Sequence, residues 1–293
     1  MLFRPKHLIL KSYSKINISL HLDGRREDGY HNLDMVVLPL SVHDVIEIRI
    51  DRNLTHTKIV CDEASLMKNH NNLCLRAVEA MRAHFGFQEN FSISIHKEIP
   101  FAAGLGGGSS NAATVMKAIN KLLNLGADQK TLEEIGLSLG ADVPFFLRQK
   151  PSRVQGIGDI LTDIHPAHEY YCLVIRPERG LKTADVYVKS DEFPIQPNAV
   201  PETIEALESG DDIKLANVMR NDLYAPACAL YPQLVSVVGE LKKMGFAIAA
   251  MTGSGSACYA LSLDKAAIQK AEAKLVDRGF DVYVGRTSIK EEL

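Results

Sequence analysis

The sequence predicts an α+β protein of two domains. Strict apolar and polar alternation marks strands in the first half, and three-and-four spacing marks helices between and after them. In the second half the elements follow the order helix, strand, strand, helix, strand, the order of an α/β sandwich.

In "KINISLHL", Ile16, Ile18, Leu20 and Leu22 alternate with Lys15, Asn17, Ser19 and His21, which predicts a half-buried strand with one polar face. "DVIEIRI" from Asp44 and "FSISIHK" from Phe91 repeat the pattern. Leu73, Ala77, Ala80 and Met81 space a helix closed by Gly86. Ala112, Val115, Met116, Ile119, Leu122 and Leu123 space another, with Gly126 placed to end it. A third helix runs from about Gln129 to Leu139 and stops at Gly140. The stretch from Gln149 to His168, with Pro151, Gly156, Gly158 and Pro166, reads as irregular and holds the expected domain break. Domains of 1–160 and 161–293 follow. Beyond the strand "YYCLVIRP" come the helix "YPQLVSVVGELKKMG", the strand "FAIAAMT", a tight "GSGS" link, the strand "CYALSL", the helix "KAAIQKAEAKLVDRG" and the strand "FDVYVG". That order suggests an antiparallel sheet on one side of the second domain.

With 293 residues, 46% hydrophobic and 24% charged, the chain has material for one large or two medium cores. A net charge of −3 offers no basic field, so neither nucleic acid nor a membrane surface is expected as a partner. Cys61, Cys74, Cys172, Cys228 and Cys258 are scattered without a CxxC pair, which predicts reduced core thiols and no zinc site. No eighteen-residue apolar run and no secretory signal are evident, so a cytoplasmic protein, monomeric or weakly dimeric, is expected.

Chemistry concentrates in "EIPFAAGLGGGSSNAAT", Glu98 to Thr114, where a strand gives way to glycines and then to a helix. Unpaired amides and partial positive charge at a helix N-terminus attract anions, and glycine lets a phosphate approach the main chain. A packing contact or flexible turn would use the same residues, and Ser109 and Ser110 are also good N-caps. No lysine follows the glycines as a Walker A loop requires, and Ser109 stands where a dinucleotide fingerprint needs its third glycine. Asn17 shares a strand face with Lys15. Asp28 and Gly29 mark a turn that leaves Tyr30 and His31 on a loop, either to bind a ligand or to pack over a core edge. Asp142, just before Val143 and Pro144, suits a helix cap or turn; Gly253, Ser254 and Gly255 suit a tight hairpin.

Five ordered segments give these residues a second meaning. "YSKINISLHLDGRREDGYHNLDMV", "PFAAGLGGGSSNAAT", "LGADVPFFL", "TADVY" and the pair "NDLYAPACALYP" with "MTGSGSACYAL" together resemble the GHMP kinase superfamily, and within it the 4-diphosphocytidyl-2-C-methyl-D-erythritol kinase family. The resemblance implies an N-terminal domain of the ribosomal protein S5 domain 2-like type and a ferredoxin-like C-terminal domain. It implies ATP-dependent phosphorylation of a cytidine diphosphate-linked polyol, with Mg²⁺, in non-mevalonate isoprenoid biosynthesis. By the same resemblance, Pro100, Ala103, Gly104, Leu105, Gly106, Gly107, Gly108, Ser109 and Ser110 cradle the ATP phosphates, Ser110 meets the metal, and Gly253, Ser254 and Gly255 approach the transferred phosphate. Lys15 and Asp142 are the implied catalytic pair; Asn17, Tyr30, His31 and Tyr187 are the implied substrate contacts. Phosphoryl transfer asks mainly for positioning and charge neutralisation, which suits a site built of clamps.

Overall fold

The computed structural model of the chain describes residues 6–27, 29, 31–62 and 72–289, and these form two compact units. Unit 1 comprises Met1–Ser14, His43–Ile99 and Gly106–Gln149; unit 2 comprises Lys15–Val42, Pro100–Leu105 and Lys150–Leu293. A single cut at residue 160 therefore falls inside unit 2. The reason lies in two long strands, β1 (His7–Arg25) and β2 (His31–Ile50), of 19 and 20 residues, which pair with each other and contribute to both units.

In unit 1, β2 pairs antiparallel with β4 (Phe91–His96), Ile46 opposite Ile95 and Ile48 opposite Ile93, and β3 (Lys58–Cys61) runs parallel to β4. The two-residue period puts these isoleucines on one face, where all four are buried. Each such side chain contributes roughly 1.5–3 kcal/mol. Helix α1 (Leu73–Phe85) starts at Asn72, whose side chain accepts from Cys74 N, and closes at Gly86 in the left-handed region, as the spacing predicts. Helix α2 (Gly107–Leu123) begins five residues before the first apolar position, so Gly107 and Gly108 form its first turn. It ends at left-handed Asn124 rather than at Gly126; Asn120 holds the exit through both a donor and an acceptor bond to Ala127. Helices α3 (Gln129–Leu137) and α4 (Val143–Arg148) follow, and α1 and α4 both pack on α2.

In unit 2, Leu33–Val37 of β2 pairs with β5 (Ser152–Gly156), which pairs with β6 (Ile160–Asp163). The stretch expected to be irregular is thus a hairpin. Only Val154 is a buried apolar residue in β5, so its strand state comes from the β2 ladder rather than from its own pattern. A second sheet has the order β10-β7-β9-β8, with β7 (Tyr171–Arg176), β8 (Ile248–Met251), β9 (Cys258–Ser262) and β10 (Asp281–Arg286) all antiparallel. Four short helices, α5 (Thr183–Ser190), α6 (Val200–Ser209), α7 (Asp212–Val218) and α8 (Tyr224–Leu230), lie between β7 and the next long helix. Helices α9 (Gln233–Lys243) and α10 (Lys265–Asp277) pack on the sheet, completing the expected ferredoxin-like arrangement.

All five cysteines are free thiols, four of them buried. Burial pushes the Cys74 thiol up to about 12, so it stays protonated and unreactive at neutral pH. Among the described residues no helix is long and apolar enough to cross a membrane.

Candidate active site

The polar face of β1 is buried, which corrects the half-buried strand the alternation suggested. Lys15, Asn17, Ser19 and His21 are only 5%, 2%, 1% and 6% exposed, because two other segments of unit 2 cover them. One is Arg220–Asp222. Leu20 N donates to Arg220 O, Asp222 N donates to Leu20 O, Ser19 Oγ donates to Arg220 O, and His21 Nδ1 lies 2.8 Å from Asp222 Oδ2. The other is the turn after β8, where Thr252 Oγ1 accepts from Asn17 N at 3.0 Å. Buried polar groups need partners, and this face supplies one at each position. Lys15 Nζ donates to Asn17 Oδ1 at 2.5 Å.

Asn221 explains why "NDLYAP" accompanies "TGSGS". Its amide donates to Met251 O and Gly253 O at 3.0 and 2.8 Å, while its Oδ1 accepts from Leu223 N. The turn is held against Ala103–Leu105 as well: Ala257 N donates to Ala103 O, and Lys15 N donates to Leu105 O. Gly104 sits at φ +77°, and a Cβ there would fall 2.5 Å from Thr252 O; Gly253, at φ +56°, would carry a Cβ 3.0 Å from Gly104 O and 3.3 Å from Lys15 Nζ. Two glycine-bearing segments thus meet backbone to backbone beside the Lys15 ammonium. Gly255 is likewise left-handed, and Ser254 Oγ bonds Thr183 Oγ1 at 3.0 Å, joining the turn to "TADVY". Pro100, Ala103 and Leu105 are buried supports of this contact. Gly104→Ala should lower the unfolding free energy by about 1–3 kcal/mol, since neither backbone can retreat. Urea unfolding of the two proteins measures it.

In unit 1, Gly106 at φ +74° is the N-cap of α2 and provides no side-chain cap bond. The amides of Gly107, Gly108 and Ser109 make no hydrogen bond among the described residues. They are donors in want of an acceptor at the positive end of a 17-residue helix. At Gly107 a Cβ would fit tightly, 3.1 Å from Ile99 Cγ2, whereas Gly108 is exposed. The Ser110 hydroxyl turns inward: it donates to Tyr13 O and lies 2.7 Å from Ser12 Oγ, which also bonds Asn111 Oδ1 at 2.8 Å. Gly140 lies beside Ser109, with a Cβ position 3.9 Å from its Oγ, so "LGADVPFFL" reaches the first turn of α2. Asp142 occupies the N-cap of α4, but its carboxylate makes no cap bond and has no partner among the described residues. The half-buried acid is left available for chemistry.

Sequence reading missed Asp44. It is fully buried at the end of β2's polar run; Oδ1 accepts from Glu98 N and Ile99 N at 2.9 and 2.8 Å, and Oδ2 pairs with Lys97 Nζ. That clamp fixes the chain just before Pro100.

Tyr30 lies outside the described residues. His31, on β2, has its ring 5.4 Å from that of Tyr187 on α5, tilted by 43°. Its Nε2 lies 2.8 Å from Asp191 Oδ1, and Arg25 reaches Asp191 Oδ2 at 3.2 Å. His31, Asp191 and Arg25 border a cavity of about 550 Å³ in unit 2 that Leu22, Phe193, Ile195 and Tyr224 also line. Its size suits a small-molecule ligand. Among the described residues no cluster of three His, Cys, Asp or Glu side chains is placed to hold a metal ion.

Unit 1 thus presents an unsatisfied helix N-terminus after a glycine turn and the acid Asp142, unpartnered among the described residues, and unit 2 a buried lysine beside a second glycine turn. Residues 72–150 match the GHMP kinases N terminal domain, and residues 203–281 match the GHMP kinases C terminal domain. A Clostridium perfringens protein named 4-diphosphocytidyl-2-C-methyl-D-erythritol kinase is 34% identical over 281 residues, covering 95% of this chain and 97% of that protein. A Chlorobium luteolum protein of the same name is 35% identical over 252 residues, 85% of this chain and 87% of that protein. A crystal structure of 4-(cytidine 5'-diphospho)-2C-methyl-D-erythritol kinase superposes with a TM-score of 0.79 at 29% identity, covering 95% of this chain and 98% of that chain. The homoserine kinase of Cytophaga hutchinsonii, at 17% identity and a TM-score of 0.75 over 97% of this chain and 96% of its own, shares the fold. Likeness of this extent, across both domain types and nearly every residue, makes the chain a member of the GHMP kinase family.

Proposed function

We propose that this kinase transfers the terminal phosphoryl group of ATP to the 2-hydroxyl of 4-diphosphocytidyl-2-C-methyl-D-erythritol. The observation that carries the reading is the end-to-end match to kinases bearing that substrate's name, at 34% identity over 95% of the chain. The residues present suit each task.

The amides of Gly107, Gly108 and Ser109, lacking acceptors, receive phosphate oxygens, as helix N-termini do. Gly104 and Gly253 to Gly255 contribute main chain on the other glycine turn. Mg²⁺ would supply neutralisation of the phosphate charge. The Ser109 hydroxyl would be the side chain to help hold the ion, since the Ser110 hydroxyl donates to Tyr13 O. Lys15 offsets charge on the transferring group, and Asn17 holds its ammonium in place. Asp142 orients the acceptor hydroxyl and takes its proton. His31, with Tyr30 and Tyr187, binds the cytosine ring.

A coupled assay of ADP release with this substrate and Mg²⁺ tests the reading. Release that depends on both is expected. Release only with another acceptor, such as homoserine or mevalonate, would overturn it.

A further inference from the structure

We infer that Asp191 sets the tautomer of His31 and thereby makes the site select cytosine over uracil. The inference rests on the proposed cytidine-bearing acceptor and goes beyond it by assigning a positioning residue.

A carboxylate oxygen only accepts, so the 2.8 Å contact between His31 Nε2 and Asp191 Oδ1 places the ring hydrogen on Nε2. Arg25 donates to the other carboxylate oxygen at 3.2 Å, which holds the acid in place against the ring. Nδ1 then carries a lone pair, and among the described residues it has no hydrogen-bond partner. The His31 side chain is only 8% exposed, so little of the ring besides its free edge is open to a ligand. It also lines the 550 Å³ cavity.

A neutral Nδ1 accepts a hydrogen bond and offers none. Cytosine carries an exocyclic amino donor where uracil carries a carbonyl oxygen. The first completes the bond; the second sets two lone pairs against each other. A site that hydrogen-bonds a donor rejects the analogue lacking it far more strongly than a shape-fitting pocket does.

Asp191→Asn separates this role from simple support, because an amide can either accept from Nε2–H or donate to a bare Nε2. In the wild type, nitrogen NMR should show His31 with hydrogen on Nε2 alone; in D191N both tautomers should appear. The preference in kcat/KM for the cytidine substrate over its uridine counterpart should fall by roughly 10-fold or more. The loss should appear mainly as a raised KM for the cytidine substrate rather than as a lowered kcat. An unchanged preference in folded D191N, or a wild-type ring with its hydrogen on Nδ1, would overturn the assignment, and the second reading needs no variant. If the wild type phosphorylates no cytidine substrate, the functional proposal fails separately. Calorimetry of CDP and UDP binding then decides this one: equal affinities sink it, and a CDP preference lost in D191N sustains it.

Discussion

Asp142→Asn is expected to reduce kcat by roughly 10²- to 10⁴-fold, the span of a missing general base or orienting acid. The melting temperature should barely move. Asp142 stands at a helix N-cap, where an acid normally accepts a first-turn amide, yet its side chain makes no such bond. Helix α4 is held instead by its own contacts: Lys117 Nζ donates to Phe146 O at 3.2 Å and to Gln149 Oε1 at 3.0 Å, and Arg148 pairs with Glu133. Asparagine keeps the size and removes the charge, so activity and stability are tested apart. Equal turnover by the two proteins in the ADP-release assay would remove Asp142 from the mechanism. A large drop in melting temperature would recast it as a structural residue.

Asp44→Ala should give the largest loss of stability, about 3–5 kcal/mol, because it strands the Lys97 ammonium in a site where that side chain is only 11% exposed. It also leaves the amides of Glu98 and Ile99 without their acceptor. Asp44→Asn should cost less, since one amide oxygen still serves both N–H groups while the charge on Lys97 goes unmatched. Denaturant titration of both variants gives the order. With Pro100 next in the chain, both should raise the KM for ATP more than they lower kcat. A variant as stable as wild type, or one with unaltered KM, would deny Asp44 its clamping role.

These two acids differ in how visible they were. Asp142 stood inside a motif, "LGADVPFFL", that could be matched residue by residue. Asp44 did not, because its partners lie 53 to 55 residues away and its meaning exists only once β2 and β4 are side by side. The same holds for Asp191, 160 residues from His31. The alternation in "KINISLHL" correctly announced a strand with two unlike faces. It carried no information on what would cover the polar one, so the burial of Lys15 and Asn17 under Arg220–Asp222 and Thr252 emerged only from the fold. Local pattern also located the ferredoxin-like half, whose strands and helices are long and periodic. It failed at β5 and β6, where Gly156 and Gly158 punctuate strands that depend on β2 for their ladder. The short helices α5 to α8 escaped for a related reason: runs of 7 to 10 residues give too few turns for a period to register.

The split of β1 and β2 between two cores has a consequence during synthesis. Residues 15–42 leave the ribosome early, yet the segments that cover Lys15 and Asn17 come more than 200 positions later. Until residues 220–252 have been made, the nascent chain must carry an unfinished, partly apolar ribbon that wrong partners can reach. Slow, late-closing folding with a need for chaperone shelter follows from that topology, and splitting the gene at residue 160 should yield two insoluble fragments.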